Sequence, residues 1–384
     1  MPDNHRGSRG RKGFALVLAL GALVIIGTLV AGTSFLVMQE TRLGRNQLVQ
    51  ARAFAAAEFG LNKIQADWDL TPNLMMNNGA TFDTTYIVPD QGTARVRYTR
   101  LNNETFWLVS EGRVGQGGLG AASTAVKRVN AILRLRIPTV RANGAITTMG
   151  DIEVKGSAQV NGANTNPPGW LGCDASAPGK AGIVAPPGVT VEIQKPTSVT
   201  GTPQVLRDPL VADSATYIRY GDETWNSLAA QANIIITTGI TPGMAEPVVD
   251  ASGRCDKIPS NWGEPSRAAG SVSACYNYFP IIYSQGNLQV NSGRGQGILL
   301  VDGDLQINGS FMWTGLIVVR DDFDKGNGNA MIHGAVMARD ASLFDDSSIL
   351  GNTTYSYSEC GISRALRGSA QVVQARERAW GELF

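Results

Sequence analysis

Apolar and polar positions divide this chain into three textures. From Phe14 to Met38 the sequence FALVLALGALVIIGTLVAGTSFLVM has no charge and only three hydroxyl residues. At 1.5 Å rise per residue such a run spans about 37 Å as a helix, enough to cross a bilayer. Backbone groups in lipid must pair within the segment, so a single span has to be helical. The polar stretch that follows, to Trp68, contains no proline and is rich in alanine, leucine, glutamine and arginine, which favour the helix. Phe54, Ala57, Leu61, Ile64 and Trp68 recur at three- and four-residue steps and predict one apolar stripe. One helix of about 80 Å is therefore expected from Phe14 to about Trp68, stopping at Asp69 to Pro72. Phe54, Leu61 and Ile64 are its expected docking residues, set to face a sheet of this chain or a neighbouring helix.

From Tyr86 the period shortens to two. Residues 94–101, 105–114 and 125–137 read as strands. Asparagine- and glycine-rich connections suit antiparallel hairpins. A long helix laid over a small antiparallel sheet is an α+β solution. Arg128, Arg134 and Arg136 share one face of the third strand. No run of aromatics interleaves with them, so the face is read as solvated, with no strong nucleic-acid signal.

Beyond Pro138 short apolar pieces alternate with glycine and asparagine. Taking Ile282, Leu300, Ile317, Val336 and Tyr355 as equivalent points, the spacings are 18, 17, 19 and 19. Short strands at near-constant separation suggest stacked coils of a short β-solenoid; a sandwich or an irregular strand-rich domain is the alternative. Residues 167–280 hold most of the prolines and a second helix candidate at 223–231, and read as a long excursion or separate lobe. ARERAWGELF at the end reads as a short helix. The expected organisation is a leader at 1–13, the helix at 14–68, the sheet at 69–138 and a β-rich, solenoid-like domain at 139–384.

The formal net charge of +1 gives no bulk attraction to nucleic acid, but its placement matters. Arg6, Arg9, Arg11 and Lys12 precede the apolar run, which puts the N-terminus in the cytoplasm and the large region outside. A cleaved secretory signal usually has an apolar core of about 7–15 residues; this run is longer, so a retained anchor is expected.

A short basic leader ending at Gly13, with Phe14 opening the apolar helix, resembles the type IV pilin family. Ala56, Ala57, Glu58, Gly60 and Leu61 resemble a helix segment of the PilX-type minor pilins. The resemblance covers about 70 residues, and more loosely reaches Ile137. It implies cleavage between Gly13 and Phe14 by a prepilin peptidase, followed by methylation of the new amino terminus. It further implies a pilin-like head, inner-membrane lipid, other pilins and the pilus assembly machinery as partners, a periplasmic large domain and possible display in a cell-surface pilus. One departure is Leu18, where most of the family has glutamate at the fifth mature position. That absence resembles PilX-type subunits and the tip pseudopilin of type II secretion rather than a main-shaft subunit.

Cys173, Cys255, Cys275 and Cys360 make an even set, in a region expected to face an oxidising compartment. Three pairings are possible; Cys255–Cys275 encloses a proline-containing loop and is the mild preference, leaving Cys173–Cys360. No pair has close zinc-site spacing. The histidines are His5, in the leader, and His333, in a strand-like segment. No G-x-S-x-G elbow, H-E-x-x-H, Walker loop or dinucleotide fingerprint occurs. Asp302 and Asp304 flank Gly303 and read as turn chemistry. Asp321, Asp322, Asp324, Asn327 and Asn329 carry oxygen ligands of the type calcium prefers, but Phe323, Lys325 and Ile332 spoil the EF-hand pattern, so a solvated turn is favoured. The expected function is non-enzymatic: a minor pilin or pseudopilin that initiates, caps or decorates a filament. The alternatives are an anchored adhesin binding glycans or cells, and a polysaccharide-acting enzyme.

Overall fold

The computed structural model describes residues 14–68, 73, 76–89, 92–115, 124–140, 142–174, 176–195, 198–237, 244–325, 328–343, 353–375 and 380–383. Helix α1, Phe14–Ala66, is continuous over 53 residues. The hydroxyls of its apolar part donate back to carbonyls three or four residues earlier: Thr28 to Ile25, Thr33 to Leu29 and Thr41 to Val37. Thr28 and Thr33 of the apolar run thus satisfy their hydroxyls within the helix. Residues 16–48 are exposed throughout, and burial starts at Val49. Among the described residues α1 is the one helix long and apolar enough to cross a membrane.

The outer part of α1 lies on an antiparallel meander of β1 (Thr81–Val88), β2 (Gly92–Arg100), β3 (Thr105–Gly115) and β4 (Thr124–Arg136). Strict alternation of buried and solvent-facing residues runs through the last nine positions of β4. Val129, Ala131, Leu133 and Leu135 point to the helix, while Arg128, Arg134 and Arg136 point away.

The sheet does not end at 138. The free edge of β4 is covered by two strands from the C-terminus, Gln371–Gln374 and Trp380–Leu383, both antiparallel to it. Gln371 is the register partner of Arg136, so the chain leaves and re-enters the sheet side by side. Everything between is an insertion. The expected terminal helix is therefore corrected. Trp380–Leu383 is a strand, and the nearby helix is Glu359–Gly368, started by the Ser358 hydroxyl accepting from the Gly361 N–H. An uncovered β4 edge offers a row of unpaired backbone groups, and that pairing outweighs the helix propensity of a short alanine- and glutamate-bearing tail.

The inserted region is built from two parallel sheets that the chain visits in turn. Ile281–Ser284, Gly293–Val301, Phe311–Val319 and Ala330–Ala338 are consecutive neighbours in one. Leu288–Val290, Leu305–Ile307, Asp322–Lys325 and Asp340–Leu343 are consecutive neighbours in the other. The equivalent positions are Ile282, Leu299, Ile317 and Val336. The expected point Leu300 is off by one, because Ile298 to Val301 are all buried and a continuous apolar run carries no period to set register. Tyr355 pairs with Ile332 instead of Val336. The place beside Val336 belongs to Ile146, and that beside Ala341 to Ile152. The sheets thus continue into earlier segments: Gly144–Thr148 and Ala181–Ala185 on one side, Ile152–Val154 and Val191–Ile193 on the other. At the far end Ile234–Ile236 pairs with Ile281–Ser284. Parts of the 167–280 stretch are thus woven into the sheets. The helix candidate in it is Trp225–Ala230, with a capping box between Thr224 and Ser227.

One column of glycines lets neighbouring strands of this stack approach closely. Gly297, Gly315 and Gly334 are in register, with φ of 113°, 133° and 148°. A Cβ on Gly315 would lie 2.2 Å from the Gly297 carbonyl oxygen. Only glycine fits both the backbone angle and the spacing.

Candidate functional site

The docking face of α1 is the feature that joins its exposed apolar half to the rest of the molecule. Its centre is small. Ala53, Ala56 and Ala57 are fully buried, and Gly60 packs against Ser110, Ala94 and Val96. Across from them is Gly112 of β3, where a Cβ would sit 2.0 Å from the Ala53 carbonyl oxygen and 2.5 Å from the Ala57 nitrogen. The helix and strand backbones therefore touch. Leu61 and Ile64 extend the seam upward into a cluster with Val96, Tyr98, Phe106, Leu108 and Leu133. Trp68 closes the top, its ring 5.3 Å from Tyr98 and 5.0 Å from Phe106. Val49, with Val114, closes the bottom.

Of the expected docking residues, Leu61 and Ile64 are buried, whereas Phe54 is half-buried at the margin. Ala57 was on the expected stripe, but ranking docking residues by side-chain size left out Ala53, Ala56 and Gly60. The signal was present: Ala53, Ala56, Ala57 and Gly60 recur at three- and four-residue steps, the pattern that lets backbones approach closely. Gly13 lies outside the described residues; Phe14 is the first residue of the helix.

The opposite face of the sheet is laced with ion pairs. Arg95 and Arg97 meet Asp83, Arg113 and Arg128 meet Glu111, Arg134 meets Glu104, and Arg136 meets buried Glu223. The hydrogen bond from Arg97, joined by that from Arg95, holds Asp83 down to about 2. Carboxylates thus occupy Arg128, Arg134 and Arg136, the arginines of the face read as solvated. Arg100 differs: its guanidinium is turned inward, donating to the carbonyls of Met76 and Asn102, and burial lowers its pKa.

Two disulfides join Cys173 to Cys360 and Cys255 to Cys275. The first ties the 170–174 segment to the helix Glu359–Gly368. Beside it Trp170 is flanked by Arg267 at 4.7 Å and Arg364 at 4.8 Å. Burial brings Arg267 down to about 10.

The acidic segment 321–329 contains the strand Asp322–Lys325, and Asp321 and Asp322 both pair with Arg339. Asp324 lies within that strand and Asn329 just before the next; Asn327 lies outside the described residues. Among the described residues no group of three or more His, Cys, Asp or Glu converges as a metal would require. His333 sits on Ala330–Ala338 and is largely buried, which lowers its pKa to about 4. His5 lies outside the described residues.

No protein-family model matches the chain, and no curated protein matches it in sequence. Among solved structures it is similar to the crystal structure of the competence-associated pilin ComZ from Thermus thermophilus. The identity is 11%, over 87% of this chain and 97% of that chain, with a TM-score of 0.23. A likeness at that score establishes neither fold nor function.

Proposed function

We propose that this chain is a membrane-anchored, pilin-like subunit without enzymatic activity, of the minor-pilin or pseudopilin kind and resembling the PilX-type. The observation that carries the reading is the single unbroken helix. Its first half is apolar and exposed, and its second half is locked to an antiparallel sheet by the Ala53–Ala57–Gly60–Gly112 seam. A helix so exposed and so apolar needs lipid or other helices around it. The basic leader and Phe14 at the helix start favour prepilin processing at Gly13–Phe14. Leu18 at the fifth mature position and a bulky insertion suit a sparse or tip position better than a close-packed shaft. The inserted region reads as a short β-solenoid whose coil order is not its chain order.

A second reading, an anchored adhesin, is favoured by one observation. The inserted region carries an open groove of about 440 Å³ lined by Met244, Phe311, Met312 and Met331, outside the helix–sheet seam.

Two measurements test the main reading. Mass spectrometry of the mature N-terminus should find a chain beginning at Phe14, and Gly13→Leu should leave an unprocessed precursor. A mature chain beginning near Gly32 would sink the anchor. Full-length protein should co-purify with other pilin-like subunits; a folded, processed chain that never does so removes the filament role and leaves the adhesin reading.

A further inference from the structure

The apolar run of α1 ends at Met38, and its first residue buried against the head is Val49. The ten residues between, Gln39 to Leu48, form about 15 Å of helix with every position exposed. They contain Arg42, Arg45 and Glu40. At 3.6 residues per turn, Arg42 and Arg45 lie within about 40° of Val49 around the helix, and Glu40 lies about 180° away. Both arginines therefore stand on the side of α1 that carries the head. Neither has an ion pair among the described residues, unlike the paired arginines of the sheet.

The bottom row of the sheet's outer face runs Ile87, Thr93, Arg113 and Val126 in register. Ile87 is 83% exposed, an aliphatic side chain at the end of the head nearest the apolar run.

We infer that the exposed segment 39–48 of α1 is a lipid-binding surface, with Arg42 and Arg45 taking the phosphates of anionic phospholipid headgroups. The inference rests on the membrane-anchored reading. The headgroup layer is roughly 5–8 Å deep on each side of the hydrocarbon. Arg42 lies about 6 Å and Arg45 about 10 Å beyond Met38, and arginine side chains reach back toward the interface. Attraction to an anionic surface fades over a Debye length of about 8 Å, so Arg42 and Arg45 feel it. Arg52, about 21 Å beyond Met38, does not.

The test uses the full chain reconstituted in vesicles of equal phosphatidylcholine and phosphatidylglycerol, with native mass spectrometry counting the lipids retained after gentle extraction. Wild-type protein should retain phosphatidylglycerol over phosphatidylcholine by about fivefold or more, the effect expected of one well-placed arginine. The double variant Arg42→Gln, Arg45→Gln should fall to near parity, and Arg52→Gln should keep the preference. An undiminished preference in the double variant overturns the inference. So does a wild-type chain with no preference, which would point to an acidic protein surface as the occupant. Flotation separates the two levels. A chain that floats but shows no preference sinks this inference alone; a chain that does not float sinks the anchored reading with it.

Discussion

Gly112→Ala adds one methyl group at the point where the α1 and β3 backbones touch. The new Cβ would meet the Ala53 carbonyl oxygen at 2.0 Å and the Ala57 nitrogen at 2.5 Å. Ordinary contact begins near 3.4 Å, so helix and strand must part by about 1.4 Å. Both obstacles are backbone atoms of a regular helix, and no rotamer change relieves them. Overpacking of a core costs about 1–3 kcal/mol, occasionally more. Parting the seam also thins the contacts of Ala56, Gly60 and Leu61, since a gap of even 1 Å forfeits up to about half of each pair's attraction. A loss of about 3 kcal/mol is expected. The substitution brings no backbone strain of its own, because Gly112 is not among the positive-φ glycines. Restricting the unfolded chain would by itself stabilise by about 0.4–1 kcal/mol. The sign therefore reports the steric clash. Gly115→Ala, three residues along the same strand, meets no atom within 4 Å among the described residues and should be neutral or slightly stabilising. The assay is urea unfolding of a fragment beginning at Glu40, followed by the fluorescence of its seven tryptophans, of which Trp68 lies on the seam against Tyr98 and Phe106. The two variants lying within about 0.5 kcal/mol of each other would refute the close-packed seam.

Leu61→Ala, at a buried position, should cost about 2–5 kcal/mol. Phe54→Ala should cost less despite the larger side chain, and the reverse order in the same urea series would reassign the docking face. Non-reducing peptide mapping should recover Cys173 linked to Cys360 and Cys255 linked to Cys275; four free thiols, or any crossed pair, would contradict the arrangement. Burial holds His333 at about 4 against an ordinary 6.5. The folded protein then binds fewer protons than the unfolded chain between those values, so its stability is complete above pH 6.5 and falls as the pH drops toward 4, by about 3 kcal/mol at most. His333→Gln should flatten that slope, and an unchanged slope would show that other groups carry it.

The strand register near Leu299 and Leu300 shows where pattern reading runs out. In β4 one face meets the helix and the other meets water, so alternating burial is written into the residues and the register can be read. In Gly293–Val301 the last seven positions are all buried, and a shift by one residue leaves the pattern unchanged. The docking face lies between these cases. Leu61 and Ile64 stand out as large apolar residues at helical spacing, but Gly60 acquires its meaning only from Ser110, Ala94 and Val96, and Gly112 only from Ala53 and Ala57, all distant in sequence. Cys173 and Cys360 are no different: four cysteines allow three pairings until the fold brings 170–174 beside Glu359–Gly368.

The sequence by itself determined α1 and the alternation of the antiparallel strands, because both are local. A helix bonds each residue to one four positions away, and an uncharged run without proline leaves it no competitor. Only the tertiary structure decided that Gln371–Gln374 and Trp380–Leu383 complete the first sheet, and that Ile146 rather than Tyr355 lies beside Val336. A strand edge accepts any extended segment of compatible pattern. Which one it takes depends on where the rest of the chain has been packed, and that is a property of the whole molecule.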